Sequence, residues 1–244
     1  MKNRMKFTAI IYLSVMVLMN ACTPQEDVPG TGNGTMGLSF KIQSSGATAA
    51  NARVMGEHLL FTDGFIQIKE LEMELEGINE NGEFNKEYEV EFDEIKKVNL
   101  DRFNDDADFF INIPEGEYEE IEMEIDLIDY EEEPSILLNG IFTESTGKEI
   151  PFRFELFGDE IDFGVEINAD DENYFVVDPI NNPLVLFELV PERWFSSISM
   201  LELENAMRSD DGVIVFSEES NQSLFTKIGD KIKIDAEIEI ELLD

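Results

Sequence analysis

The stretch IKIDAEIEIEL, residues 232–242, alternates one for one between apolar and mostly charged side chains. Ile232, Ile234, Ala236, Ile238, Ile240 and Leu242 would share one side, and Lys233, Asp235, Glu237, Glu239 and Glu241 the other. Side chains along a strand point to alternate faces, so a period of two sets one face in a core and the other in water. A helix would scatter those isoleucines around its surface. The same grammar recurs in GLSFKIQ (Leu38, Phe40, Ile42), EYEVEF (Tyr88, Val90, Phe92) and IEMEIDL (Ile121, Met123, Ile125, Leu127). It recurs again in IPFRFELF (Ile150, Phe152, Phe154, Leu156) and DEIDFGVEI (Ile161, Phe163, Val165, Ile167).

One stretch breaks phase. In FIQIKELEMELEG, Ile66 and Ile68 lie on even positions while Leu71, Met73 and Leu75 lie on odd ones. An extra residue at Lys69-Glu70 restores a common face, so a β-bulge or sharp bend is expected there. Turn signals separate the runs: Asn81-Gly82, Glu115-Gly116, Thr146-Gly147, Gly158-Asp159 and Asp211-Gly212. Asn79-Glu80-Asn81-Gly82 reads as a hairpin loop. PERWFSSISMLELENAM, 191–207, differs: Trp194, Ile198 and Leu201 have helical spacing behind Pro191, with Trp194 expected on a sheet edge. The pattern predicts an all-β fold, an antiparallel β-sandwich with one short helical segment near 191–207.

The amino-terminal region has another character. Lys2, Arg4 and Lys6 precede the apolar run Ala9–Met19, which is too short for a spanning helix and suits a secretory signal. Cys22 is the only cysteine of the chain. Leu18-Met19-Asn20-Ala21-Cys22 resembles a bacterial lipobox, with Met19 and Asn20 departing from the usual residues. That resemblance implies cleavage before Cys22 and lipidation of Cys22. Gln25-Glu26-Asp27 is similar to the acidic signal of surface-exported lipoproteins of the Bacteroidota type. PEGEYEEIEMEID, WFSSISMLELENAM and GVIVFSEESNQSLFTKI resemble uncharacterised β-sandwich lipoprotein domains of the same group. The resemblance implies a sandwich fold and a cell-envelope setting, and carries over no functional residues. The expected organisation is a signal peptide over 1–21, a lipidated flexible tether over 22–35 and a single β-sandwich domain over 36–244. The expected location is the outer membrane, facing the exterior, with the periplasmic face as the alternative.

Charge narrows the partners. With 55 acids against 17 bases the chain carries a formal charge of −38. It will not bind nucleic acid through phosphates, nor should it lie on an anionic membrane surface. A solvated acidic face, divalent cation binding and a basic partner remain open. The single histidine, His58, reads as structural, and G-x-S-x-G and phosphate-loop motifs are absent from the sequence. Zinc, copper and iron favour His and Cys and are poorly served here. Calcium takes six to eight oxygens, and its candidate ligands are Asp105, Asp106 and Asp108, then Asp170, Asp171 and Glu172, with Asp210-Asp211 third. None of these clusters has the spacing of an EF-hand loop.

The reading that results is a non-catalytic binding or structural lipoprotein of the envelope, whose partner is an envelope protein or a glycan. A calcium-dependent ligand-binding or adhesive domain is the alternative. A carboxylate-based glycoside hydrolase comes third, because a chain with 55 acids brings two within catalytic distance by chance.

Overall fold

The computed structural model describes residues 28–42, 58–79, 81–100, 107–129, 132–158, 161–169, 174–178, 180, 183–235 and 237–242. Its strands are β1 (Gly34–Ile42), β2 (Leu59–Asn79), β3 (Gly82–Leu100), β4 (Phe109–Ile113), β5 (Gly116–Leu127) and β6 (Ile136–Thr143). They continue with β7 (Glu149–Leu156), β8 (Phe163–Ala169), β9 (Phe175–Val177), β10 (Leu184–Leu189), β11 (Ile214–Phe216) and β12 (Glu237–Leu242). The helices are α1 (Pro191–Trp194), α2 (Met200–Glu204) and α3 (Gln222–Asp235). The fold is mostly β and sandwich-like, with a three-stranded sheet ordered β10-β1-β4 and a larger nine-stranded sheet.

The larger sheet is organised by β2, a strand of 21 residues. One edge of β2 pairs with β3 from Gly64 to Asn79. The other pairs first with β6, from Leu59 to Ile66, and then with β5, from Ile68 to Ile78. β5 and β6 therefore lie end to end along one edge, and each carries its own wing: β6-β7-β11 and β5-β8-β12. Gln67 sits at the seam. Its amide donates to the Ser135 carbonyl and its carbonyl accepts from the Ile128 amide, both across the gap between β5 and β6. Its side chain is buried, with Nε2 donating to the Pro134 carbonyl at 2.9 Å. The expected irregularity at Lys69-Glu70 is present: the register of β2 shifts between Ile68 and Glu70 against both neighbours. The hairpin is present too, with Asn79 paired to Gly82 and Gly82 at φ 109°.

Apolar alternation fills one continuous core between the sheets. From the small sheet, Phe40 stacks on Phe187 with ring centroids 4.3 Å apart, and Phe109 meets Phe92 of β3 edge-on at 5.5 Å. Under the β6-β7-β11 wing, Phe61, Phe152, Phe195 and Phe216 interlock, and Phe154 stacks on Phe225 of α3.

Several expectations change. The helical stretch after Pro191 divides in two: α1 ends at Trp194, and α2 begins behind a capping box in which Ser199 and Glu202 satisfy each other's backbone amides. Leu201 is 67% exposed, while Trp194, Phe195, Ile198 and Leu203 are buried, so the segment covers a sheet face through Phe195. The strand expected over 232–242 starts at Glu237, because α3 runs to Asp235. Leu224, Ile228 and Ile232 recur every fourth residue and form that helix's buried stripe, a period that IKID is too short to contradict. The strands are not all antiparallel: β1 with β10, β7 with β11 and β8 with β12 run parallel. Alternation reports which face a side chain takes and says nothing of strand direction. The last part of the expected tether is docked: Thr31 donates to the Asn112 carbonyl, Asn112 donates to the Pro29 carbonyl, and β1 begins at Gly34.

Candidate functional site

The residues opposite the core on the facing stretches of β2, β3 and β5 are mostly acidic, with Glu166 on β8, and the strand register sets them in rows. Glu87, Glu74, Glu122 and Glu166 are successive cross-strand partners. The next row runs Glu89, Glu72, Glu124 and Gly164, and the one beyond it Glu91, Glu70 and Asp126. On the other side the lattice closes with Asn85, Glu76, Glu120 and Asn168. The amides at its ends hydrogen-bond some of the carboxylates: Asn85 Nδ2 donates to Glu74 at 2.7 Å and to Glu76, and Asn168 Nδ2 donates to Glu166 at 2.8 Å.

Three local features build these rows. The E-x-E-x-E runs of β2, β3 and β5 place every second side chain on the outer face. The Asn79–Gly82 turn sets β2 against β3 glutamate to glutamate. The bulge at Lys69 keeps Glu70 in phase with Glu72, while Ile68 and Leu71 both stay in the core.

The face is concave. An open hollow of about 1080 Å³ is lined by Glu72, Glu74, Glu89, Glu122, Asp162 and Glu166 among others, with Lys233 also reaching it. Four sets of carboxylates have oxygens within 4.8 Å of one another: Glu70, Glu72 and Asp126; Glu70, Glu89 and Glu91; Glu120, Glu122 and Glu166; Glu124, Asp126 and Asp162. Partial burial, then the neighbouring Glu89, raises the Glu70 carboxyl above the usual carboxylate range. Partial burial, then the charges of Glu166 and Glu122, does the same at Glu120. Like charges directly across a sheet are destabilising, so this face holds repulsion that a cation would relieve. Clustered carboxylate oxygens are the donor set that hard divalent ions take.

Asp105, Asp106, Asp170, Asp171 and Glu172 fall outside the described residues, as does Cys22. Asp108 is structural, since its Oδ2 accepts from the Phe40 amide at 2.7 Å and its own amide donates to the Leu38 carbonyl. Asp211 closes a turn with Ser209 and Val213, and that hydrogen bonding with Ser209 holds its carboxyl low. His58 lies with Nδ1 2.9 Å from the Thr143 carbonyl oxygen. Calcium loops are the familiar pattern, and acids alternating along strands read as a wetted face. The signal was present in the sequence as E-x-E runs in strands that must pair.

No protein-family model matches the chain, no curated protein matches it, and no solved structure matches it.

Proposed function

We propose that the chain is a non-catalytic binding module of the cell envelope, anchored by lipid on Cys22, and that it binds through the carboxylate lattice of its larger sheet. The observation that carries this reading is the register: glutamate faces glutamate across β3, β2, β5 and β8. A wetted face needs no such order, and opposite charges in those positions would stabilise the sheet by roughly 0.2–1 kcal/mol per pair. A surface of this kind suits a cationic ligand or the basic side chains of an envelope partner.

The four carboxylate sets favour calcium as the ion. The glycoside hydrolase reading gains nothing, since close acid pairs recur over the whole lattice and their spacing selects no catalytic pair.

Thermal melting with calcium, with matched magnesium and with chelator tests the binding face. A rise of several degrees in calcium beyond that in magnesium supports it, and coincident melts in calcium and chelator remove it. For the anchor, Cys22→Ala should release the protein from the membrane fraction or leave it unprocessed. A variant still recovered with lipid attached contradicts the assignment.

A further inference from the structure

The small sheet has an outer face unlike the rest of the molecule. Gly37 of β1 is in register with Phe110 of β4 on one side and Leu184 of β10 on the other. Both side chains lean over the glycine: a methyl added to Gly37 would lie 3.1 Å from Phe110 Cε1 and 3.2 Å from Leu184 Cδ1. Phe110 is nevertheless 47% exposed and Leu184 44% exposed. Ile180, four residues ahead of Leu184, is 87% exposed, and its amide is held by the Asp178 carboxylate. The remaining positions of β1 and β4 on that side are Thr35, Lys41, Asn112 and Ser39, the last itself buried.

The anchored end of the chain arrives on this sheet. Asn112 of β4 donates through Nδ2 to the Val28 carbonyl at 2.8 Å. Cys22 is six residues ahead of Val28. A chain of six residues spans at most about 20 Å even when fully extended. Acyl chains on Cys22 would therefore hold β4 within that distance of the bilayer.

Charge decides which way the domain turns. Phe92 of β3 meets Phe109 of β4 across the core, and Glu89 and Glu91 alternate with Phe92, so the glutamate lattice points away from the small sheet. An anionic bilayer surface repels that lattice and tolerates the apolar patch of Phe110 and Leu184 on the opposite side.

We propose that the outer face of the three-stranded sheet, centred on Phe110, Gly37 and Leu184, rests on the lipid bilayer and turns the carboxylate lattice outward. This rests on the lipid assignment at Cys22. With Cys22 acylated, an introduced cysteine is the one free thiol available to a dye. Leu184→Cys and Glu89→Cys, each labelled with an environment-sensitive fluorophore, are placed on vesicles of phosphatidylethanolamine and phosphatidylglycerol carrying brominated acyl chains. The dye at position 184 should be quenched several-fold more than the dye at 89, and adding Phe110→Glu should remove the difference while the protein stays on the vesicles. Equal quenching at both positions, in protein whose Cys22 lipid is confirmed by mass spectrometry, overturns the inference and leaves the anchor standing. Sedimentation showing a dimer that shields position 184 overturns it as well. Absence of lipid on Cys22 sinks the anchor and this inference together.

Discussion

At the residue scale, Gln67 is the most consequential polar group in the core. Its backbone joins β2 to both ends of the β5–β6 gap, and its side chain holds the intervening loop through the Pro134 carbonyl and Glu133. Gln67→Leu keeps bulk but leaves the Pro134 carbonyl without that donor. Leaving a buried group unsatisfied costs about 1–3 kcal/mol, so the urea midpoint should fall accordingly. An unchanged midpoint would mean that the loop does not depend on this side chain. Gly77 is a second sensitive position, where β2 shifts register against β5. A methyl there would lie 2.2 Å from the Glu117 carbonyl oxygen, closer than any backbone atom tolerates. Gly77→Ala should therefore lower the melting temperature far more than Gly82→Ala, whose added methyl meets nothing within 4 Å although its φ is strained.

At the scale of elements, two electrostatic arrangements act in opposite directions. Between α2 and α3, hydrogen bonding to Lys227 and then to Ser199 holds the Glu202 carboxyl down to about 2. Its contribution to stability is complete above the ordinary glutamate pKa and is lost as pH falls towards 2. Lys227→Met should flatten that acid limb of the stability curve, a modest change because the pair is solvent-screened. In the lattice the carboxyls of Glu70 and Glu120 are raised. There the folded state holds protons that the unfolded chain has released, so stability falls as pH rises from the ordinary glutamate range through the raised values. Glu122→Gln, which removes the charge between Glu74 and Glu166, should raise the melting temperature in chelator and diminish any gain from calcium.

These elements also show what the sequence made legible. Strands β1, β2, β3, β5, β7 and β8, the bulge at Lys69 and the hairpin at Gly82 followed from period-two arithmetic and turn chemistry, which are local properties. Strand direction, the split of β2 between two partners and the helix over 222–235 did not, because each depends on contacts far along the chain. The lattice lay between these cases. Its acids were visible in the runs, but only register brings Glu74 beside both Glu87 and Glu122.

At the scale of the whole molecule, the protein is a sandwich with two unlike outer faces. A small apolar face lies beside the docked amino-terminal segment, and a carboxylate lattice lies across the core from it. With a formal charge of −38 and four sets of close carboxylates, the folded chain carries repulsion that protons or cations relieve. Mild acidification from neutral pH should therefore raise the melting temperature at low salt, and added salt should reduce the effect. A melting temperature that falls steadily from neutral pH downward would show that paired carboxylates such as Glu202 outweigh the lattice. The most direct measurement is a calorimetric titration of calcium into the chelator-treated full chain, beside the Glu72→Gln/Glu122→Gln variant. Saturable binding to the native chain that is lost in the folded variant is the predicted result. Binding of equal strength in both, or none in either, would contradict the lattice as the ligand face.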